Sequence, residues 1–399
     1  MRFSSFVERI GGEGSEAWAI HSAASAARAR GEDVVMLSIG DPDFATPDMI
    51  SDAAVAALRD GDTHYAEILG REPLRQAVAA QHRRINGQAV GPQNVIILAG
   101  AQNGLFAASL LLTQPGDEVI SLEPMYVTYE ASIRASGATL VPVSQPASRG
   151  FRPDLAAIEA AVTERTRAIF IANPNNPTGV VLTREELEGI ADIARRHDLW
   201  VVSDEVYAAL TFEAPHVGIG ALPGMAERTV TIGSLSKSHA MTGWRVGWMV
   251  GPEELIRHAE KLALCMLYGL PGFIQTAATK ALNEGTQEVA RMREIYLRRR
   301  DLLYGELSVL PMLKCLKPQA GMFLIADVRE TGMSSRDFAW GLYSEMGVAV
   351  LDATAFGKSA EGYLRISYTV GEDELLDGCR RIKSYLERLE RRPSLVVGA

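Results

Sequence analysis

Seven short apolar runs recur through the middle of the chain: 94–99 (NVIILA), 117–122 (DEVISL), 139–143 (TLVPV), 167–172 (RAIFIA), 199–203 (LWVVS), 228–232 (RTVTI) and 246–250 (VGWMV). Each is brief and rich in Val, Ile or Leu, and so reads as a buried strand. Longer stretches with helical spacing of apolar residues separate many of them. The clearest, 183–197 (TREELEGIADIARRH), opens on a capping box of Thr183 and Glu186. Near-continuous apolar strands alternating with helices predict an α/β fold, a mostly parallel seven-stranded sheet between helices. Sheets of this kind take ligands at the carboxyl ends of their strands.

Beyond about Pro252 the rhythm changes. A charged helical stretch at 287–307 precedes a second, shorter α/β pattern with a strand in 321–328, a helix near 335–346 and a strand at 363–368 (YLRISY). The chain is therefore expected to divide into a large domain, 46–285, and a smaller α/β domain made of 1–45, with the N-terminal segment, and 286–399. Only 392–399 reads as a loose tail. A chain of 399 residues suits two such lobes.

Composition narrows the function. Apolar residues at 47% and charged residues at 22% exclude a disordered body. A net charge of −9 argues against a nucleic-acid or anionic-membrane surface. No apolar run reaches the roughly 18 residues of a membrane span, and the opening MRFSSFVERIGGEG lacks a signal peptide's apolar core. Cys265, Cys315 and Cys379 are odd in number and scattered, which suits neither a disulfide framework nor a metal site; a reducing, cytoplasmic setting is expected. Only seven of the 40 basic residues are lysines, and the first is Lys237. A chain that writes its cations as Arg uses Lys where a deprotonatable amine is needed.

Lys237 sits in GSLSKSHAMTGWRVG (233–247), among Ser234, Ser236 and Ser238 and eight residues before Arg245. Hydroxyls and an arginine fork suit a phosphate, and the lysine suits an aldehyde; the alternative is a polar loop with a surface lysine. Asp204 and Glu205 in LWVVSDEVY (199–207) end a strand, where an acid can bind a metal, act as a base, hold a protonated ring nitrogen or simply cap the strand. NPNNPTG (173–179) is a stiff turn in which Asn176 meets a ligand or merely connects elements. AGAQNGL (99–105), with Gly100, Ala101 and Gln102, opens a helix whose free N–H groups suit a phosphate. Tyr126 in EPMYVTYE stacks on a ring or fills the core. Together these pieces describe pyridoxal 5'-phosphate, with no metal.

NPNNPTG, SDEVY and GSLSKSHAMTGWRVG, in that order, resemble the class I aminotransferases of the aspartate aminotransferase superfamily (fold type I), over about 33–380. The resemblance implies a role for each matching residue. Lys237 bonds the cofactor aldehyde and carries the proton of the 1,3-shift, Asp204 keeps the ring nitrogen protonated, and Asn176 and Tyr207 bind the ring oxygen. Tyr126 stacks on the ring, and Gly100, Ala101, Gln102, Ser234, Ser236 and Arg245 cradle the phosphate. Arg365 in YLRIS grips the substrate carboxylate beneath the backbone of Gly40. Tyr65 in THYAEILGREPLR reaches the partner's phosphate in a homodimer. The implied reaction is ping-pong exchange of an amino group between an L-amino acid and a 2-oxo acid.

A neutral Gln102, where some aspartate-specific relatives carry a lysine, disfavours strict dicarboxylate specificity. SLSKSHAMTGWRVGW, EPMYVTYE and LCMLYG (264–269) look more like the arginine–pyruvate transaminases. Aspartate or broad specificity, a C–S β-lyase acting through the same lysine, and a cofactor-binding regulatory domain are the competing readings.

Overall fold

The structure, a computed structural model, describes residues 1–11 and 18–391. The stretch 392–399, read above as a tail, lies outside the described residues, as do 12–17 of the N-terminal segment. Thirteen strands are numbered in chain order, beginning with the short β1 (Val35–Met36). β2 (Val95–Leu98), β3 (Glu118–Glu123), β4 (Thr139–Ser144), β5 (Thr166–Ala172), β6 (Trp200–Asp204), β7 (Thr229–Ser234) and β8 (Gly247–Val250) form one seven-stranded sheet in the order β2-β8-β7-β6-β5-β3-β4. All seven runs read from the sequence are these strands. Within this sheet β8 runs against the direction of the other six strands, antiparallel to β2 and β7. The central strands are buried along almost their whole length, as both faces are covered.

The helix Arg184–Arg196 begins as its sequence predicts: the Thr183 hydroxyl accepts from the Glu186 N–H at 3.2 Å, and the Glu186 carboxylate accepts from the Thr183 N–H at 2.8 Å. Its buried Leu187, Ile190, Ala191, Ile193 and Ala194 share one face and pack on the sheet with Ile169, Ile171 and Val201.

A second sheet joins β9 (Lys314–Leu316), β10 (Phe323–Asp327), β12 (Leu351–Asp352) and β13 (Tyr363–Ser367) in the antiparallel order β12-β13-β10-β9, while β11 (Val348–Ala349) pairs in parallel with β1. The helix Thr286–Leu307 and the helix Glu372–Arg391 pack together with these strands around Tyr296, Leu303, Phe338, Ile382 and Tyr385. The sequence reading did not single out the helix Glu372–Arg391, although Leu375, Cys379, Ile382 and Leu386 are spaced for one buried face. The same cluster includes Tyr207 and Phe323, so the core of the second sheet runs up to the end of the first.

Candidate active site

β2, β3, β5, β6 and β7 run in one direction, so their carboxyl ends share one edge of the large sheet. The antiparallel β8 starts at that edge. Residues just after five strands and just before the sixth are therefore brought together, however far apart in sequence. They surround a cavity of about 330 Å³ lined by Ala101, Gln102, Tyr126, Asn176, Asp204, Tyr207, Ser234, Ser236, Lys237 and Arg245. Trp18, Gly40, Asp41, Phe323 and Arg365 close it from the other side. The volume suits a cofactor-sized ligand.

Lys237 points its Nζ into this space and donates to the Gly40 carbonyl at 2.6 Å. Enclosure lowers its pKa to about 8; the nearby Asp41 carboxylate opposes the shift, and the Arg365 and Arg245 cations add to it. An amine so tuned is far more often neutral at pH 7 than an exposed lysine.

Asp204 and Glu205 face opposite ways, as consecutive residues at a strand end do. The Asp204 Oδ2 accepts from the Tyr129 hydroxyl at 2.8 Å, and its Oδ1 accepts from the Val206 N–H at 3.3 Å. Burial raises this carboxyl to about 6, with both donors acting against the rise. Glu205 instead turns away from the cavity, accepts from Ser203 at 2.9 Å and from the Asn86 amide, and lies 3.0 Å from His216. In spite of burial, His216, His82 and Ser203 hold its pKa below the ordinary value. Of the two acids left open by the sequence, Asp204 alone belongs to the cavity.

Arg365, at the centre of β13, is 1% exposed. Its Nη2 donates to the Ser38 carbonyl at 2.8 Å and its Nη1 to the Asn176 amide oxygen at 3.2 Å, while Nε has no partner. The guanidinium carbon lies 4.0 Å from the centre of the Phe323 ring, 4.9 Å from Phe356 and 5.7 Å from Trp18. Burial lowers its pKa to about 10, yet at neutral pH it remains a cation, with no carboxylate paired to it among the described residues. Among the described residues Arg245 likewise bonds carbonyls alone, those of Thr242 at 2.7 Å and Ala99 at 3.4 Å. Gly100 (φ +82°) lets the Arg245 fork approach: a Cβ there would lie 2.4 Å from Nη2. A Cβ on Gly247 would strike the backbone of Gly100 and Ala101 at 2.7–2.8 Å. Only glycines permit this close packing around the N-terminus of the helix Ala101–Leu112.

The whole-chain comparisons fit this geometry. Residues 32–382 match the family model described as aminotransferase class I and II. The chain belongs to that family. It is 51% identical to the arginine–pyruvate transaminase of Pseudomonas aeruginosa, over 96% of this chain and 97% of the relative. It is 37% identical to the aspartate/prephenate aminotransferase of Thermus thermophilus, over 93% and 95% of the two chains. A solved structure of the Thermus thermophilus aspartate aminotransferase with maleate superposes with a TM-score of 0.91 at 36% identity, covering 96% of this chain and all of that one. As a class I and II aminotransferase, the protein has the fold type I architecture read from its motifs.

Most residues singled out from the sequence meet at the cavity of this aminotransferase; Tyr65 and Ser238 lie apart from it, Gly100 stands behind its lining against Arg245, and Gln102 lines it with its amide engaged. Tyr65 is 86% exposed, packs against Tyr268 with ring centres 4.9 Å apart and planes tilted by 57°, and does not line the cavity of its own chain. Ser238, named beside Ser234 and Ser236 as a hydroxyl for the phosphate, instead bonds the Nδ1 of His239 at 2.8 Å and faces away. The Gln102 amide is occupied by Thr128 (2.6 Å) and Ser132 (3.1 Å). Sequence reading missed Tyr129, whose hydroxyl holds Asp204; the only signal was its spacing of three from Tyr126 at the start of a helix.

Proposed function

We propose that this aminotransferase works with pyridoxal 5'-phosphate, takes its amino group from arginine and passes it to pyruvate, and does so as a cytoplasmic homodimer. Its large domain would be 46–285, and its small domain 1–45 with 286–399. The observation that carries the reading is Arg365: a fully buried cation whose partners are a carbonyl and an amide is costly unless an anion completes it. The fork suits a substrate α-carboxylate, held bidentately. A second anion is favoured where Arg245, the Ser234 and Ser236 hydroxyls and the N-terminus of the helix Ala101–Leu112 meet; the glycine cradle there fits a phosphate.

Bound there, pyridoxal phosphate supplies an aldehyde for the amino group and a ring that accepts the electron pair left when the substrate Cα–H proton departs. The Asp204 carboxylate holds the proton of an aromatic nitrogen. The Tyr126 ring supplies a flat wall. Asn176 and Tyr207 offer an amide and a hydroxyl to the ring oxygen. The Lys237 Nζ, its pKa lowered to about 8 by enclosure and by the Arg365 and Arg245 cations, would in its neutral form be the base that holds the Cα proton and gives it to the carbon that carried the aldehyde. Trp18, Phe323 and Phe356 exclude water from the carboxylate site.

The cations lining the cavity, Lys237, Arg245 and Arg365, all have roles, and Gln102 is neutral and tied to Thr128 and Ser132. That leaves no cation among the described lining residues for the distal carboxylate of aspartate, and it favours the donor named for the Pseudomonas relative. The exposed Tyr65 supports a partner whose site it completes. Three free cysteines suit a reducing compartment. The test is absorbance of the loaded protein with single amino acids and no oxo acid. Arginine should shift the band from about 420 nm to about 330 nm, and pyruvate should restore it. Faster conversion by aspartate would refute the donor, and ammonia release from cystathionine with the band unchanged would favour the lyase.

A further inference from the structure

Asp204 is held by a side chain that none of the roles above uses. Among the described residues its carboxylate has two donors: the Tyr129 hydroxyl on Oδ2 at 2.8 Å and the Val206 N–H on Oδ1 at 3.3 Å. Tyr129 is 1% exposed and opens the helix Tyr129–Ala135. Its ring meets Tyr126 edge-on at 6.1 Å and Phe170 at 6.2 Å, so its orientation is set by packing from two sides. The stretch 126–132 is fixed in turn to the neighbouring wall, through Thr128 and Ser132 on the two ends of the Gln102 amide.

We propose that Tyr129 is the positioning residue of Asp204: its hydroxyl keeps the carboxylate ionised and turned toward the cavity, where a protonated aromatic nitrogen meets a fixed anion. The inference rests on the pyridoxal phosphate reading above. A carboxylate enclosed by rings is disfavoured in its charged form, and a donor aimed at one oxygen offsets part of that cost. Among the described residues, the titratable groups around it are Tyr126, Tyr207 and Tyr129 itself, Glu205 beside it, and, across the cavity, the cations Lys237, Arg245 and Arg365 with the Asp41 carboxylate. β5, β7 and the helix Ala101–Leu112 add only neutral side chains to that wall. Among the described residues the Tyr129 hydroxyl is the one side-chain donor to Asp204. The phenol itself is held far above its ordinary pKa by burial and by Asp204, so it donates throughout the working pH range.

Tyr129→Phe removes one oxygen and keeps the ring. The full-length protein, stripped of cofactor, is titrated with pyridoxal 5'-phosphate from pH 5.5 to 9, with binding followed by absorbance and protein fluorescence. Loss of one hydrogen bond to a charged group should move the acid limb of the binding profile up by about one to two pH units. The ratio of variant to wild-type dissociation constants should therefore be about two- to tenfold at pH 7 and approach one at pH 9. Fluorotyrosine at position 129, a stronger hydroxyl donor of nearly the same shape, should move the limb the opposite way, to lower pH. Phe170→Leu, which loosens the packing but leaves the hydroxyl, should lower the melting temperature without moving the limb. A uniform loss at every pH for Tyr129→Phe would make Tyr129 merely structural and overturn the inference. If that variant does not fold, an unmoved limb for the fluorotyrosine protein overturns it equally. A wild-type protein that takes up no pyridoxal phosphate refutes the cofactor reading itself, whereas normal uptake with an unmoved limb refutes only the role of Tyr129.

Discussion

Replacing Arg365 by Met separates function from stability. On the functional side, the change removes a fork that makes two charge-assisted hydrogen bonds to a carboxylate, each worth about 1.5–3 kcal/mol. A loss of ~3–5 kcal/mol corresponds to a fall in kcat/KM of about 10²- to 10⁴-fold. On the stability side, the terms oppose one another. Arg365 is buried with no acid paired to it among the described residues, so its desolvation costs on the order of several kcal/mol. The Phe323, Phe356 and Trp18 faces return about 0.5–2 kcal/mol each. Removal also strands the Ser38 carbonyl and the Asn176 amide oxygen, at about 1–3 kcal/mol each. An unbranched thioether packs well against three rings. The net change in stability should then lie within about 2 kcal/mol of zero while activity collapses. The assays are thermal unfolding of the cofactor-free protein and kcat/KM with arginine and pyruvate. A large loss of stability together with activity would refute the reasoning, because Arg365 would then be a structural cation whose charge the fold itself satisfies.

Other outcomes follow from the same geometry. Gly100→Ala places a Cβ 2.4 Å from Arg245 Nη2 at a φ of +82°, so pyridoxal phosphate affinity should fall about ten- to a hundredfold in an equilibrium titration, with a stability loss of only about 1–2 kcal/mol. His239 is buried beside Ser238, and its pKa is lowered from 6.5 to about 4 by burial. The unfolded chain thus binds more protons between those values, so stability is full above pH 6.5 and is lost as pH falls toward 4. His239→Gln should flatten that slope, worth on the order of 3 kcal/mol in chemical denaturation at pH 4 against pH 7. If Tyr65 acts in the partner's site, mixing and re-forming dimers of inactive Lys237→Ala and Tyr65→Ala proteins should restore about a quarter of the wild-type sites; no recovery would place Tyr65 outside the chemistry.

The local code of this chain was readable residue by residue. Continuous Val/Ile runs announce strands buried on both faces, Thr183 and Glu186 announce a helix start, and one lysine among serines in an arginine-rich chain announces an amine kept for chemistry. These are short-range signals: each depends on neighbours within one turn or one strand. Tertiary structure alone decided what is long-range. Sequence shows that Asp204 and Glu205 end a strand and so face opposite sides, but which side holds the cavity depends on the helices and the second sheet packed there. Tyr129 reads as one more core aromatic until the fold sets its hydroxyl 2.8 Å from an acid 75 residues away. Arg365 lies in an ordinary apolar strand, and only the docking of β13 against the segment at Ser38 and the turn at Asn176 leaves it buried, charged and without an acid. Burial and unpaired charge are properties of a packed interior rather than of any stretch of chain, because they depend on which distant surfaces exclude water together.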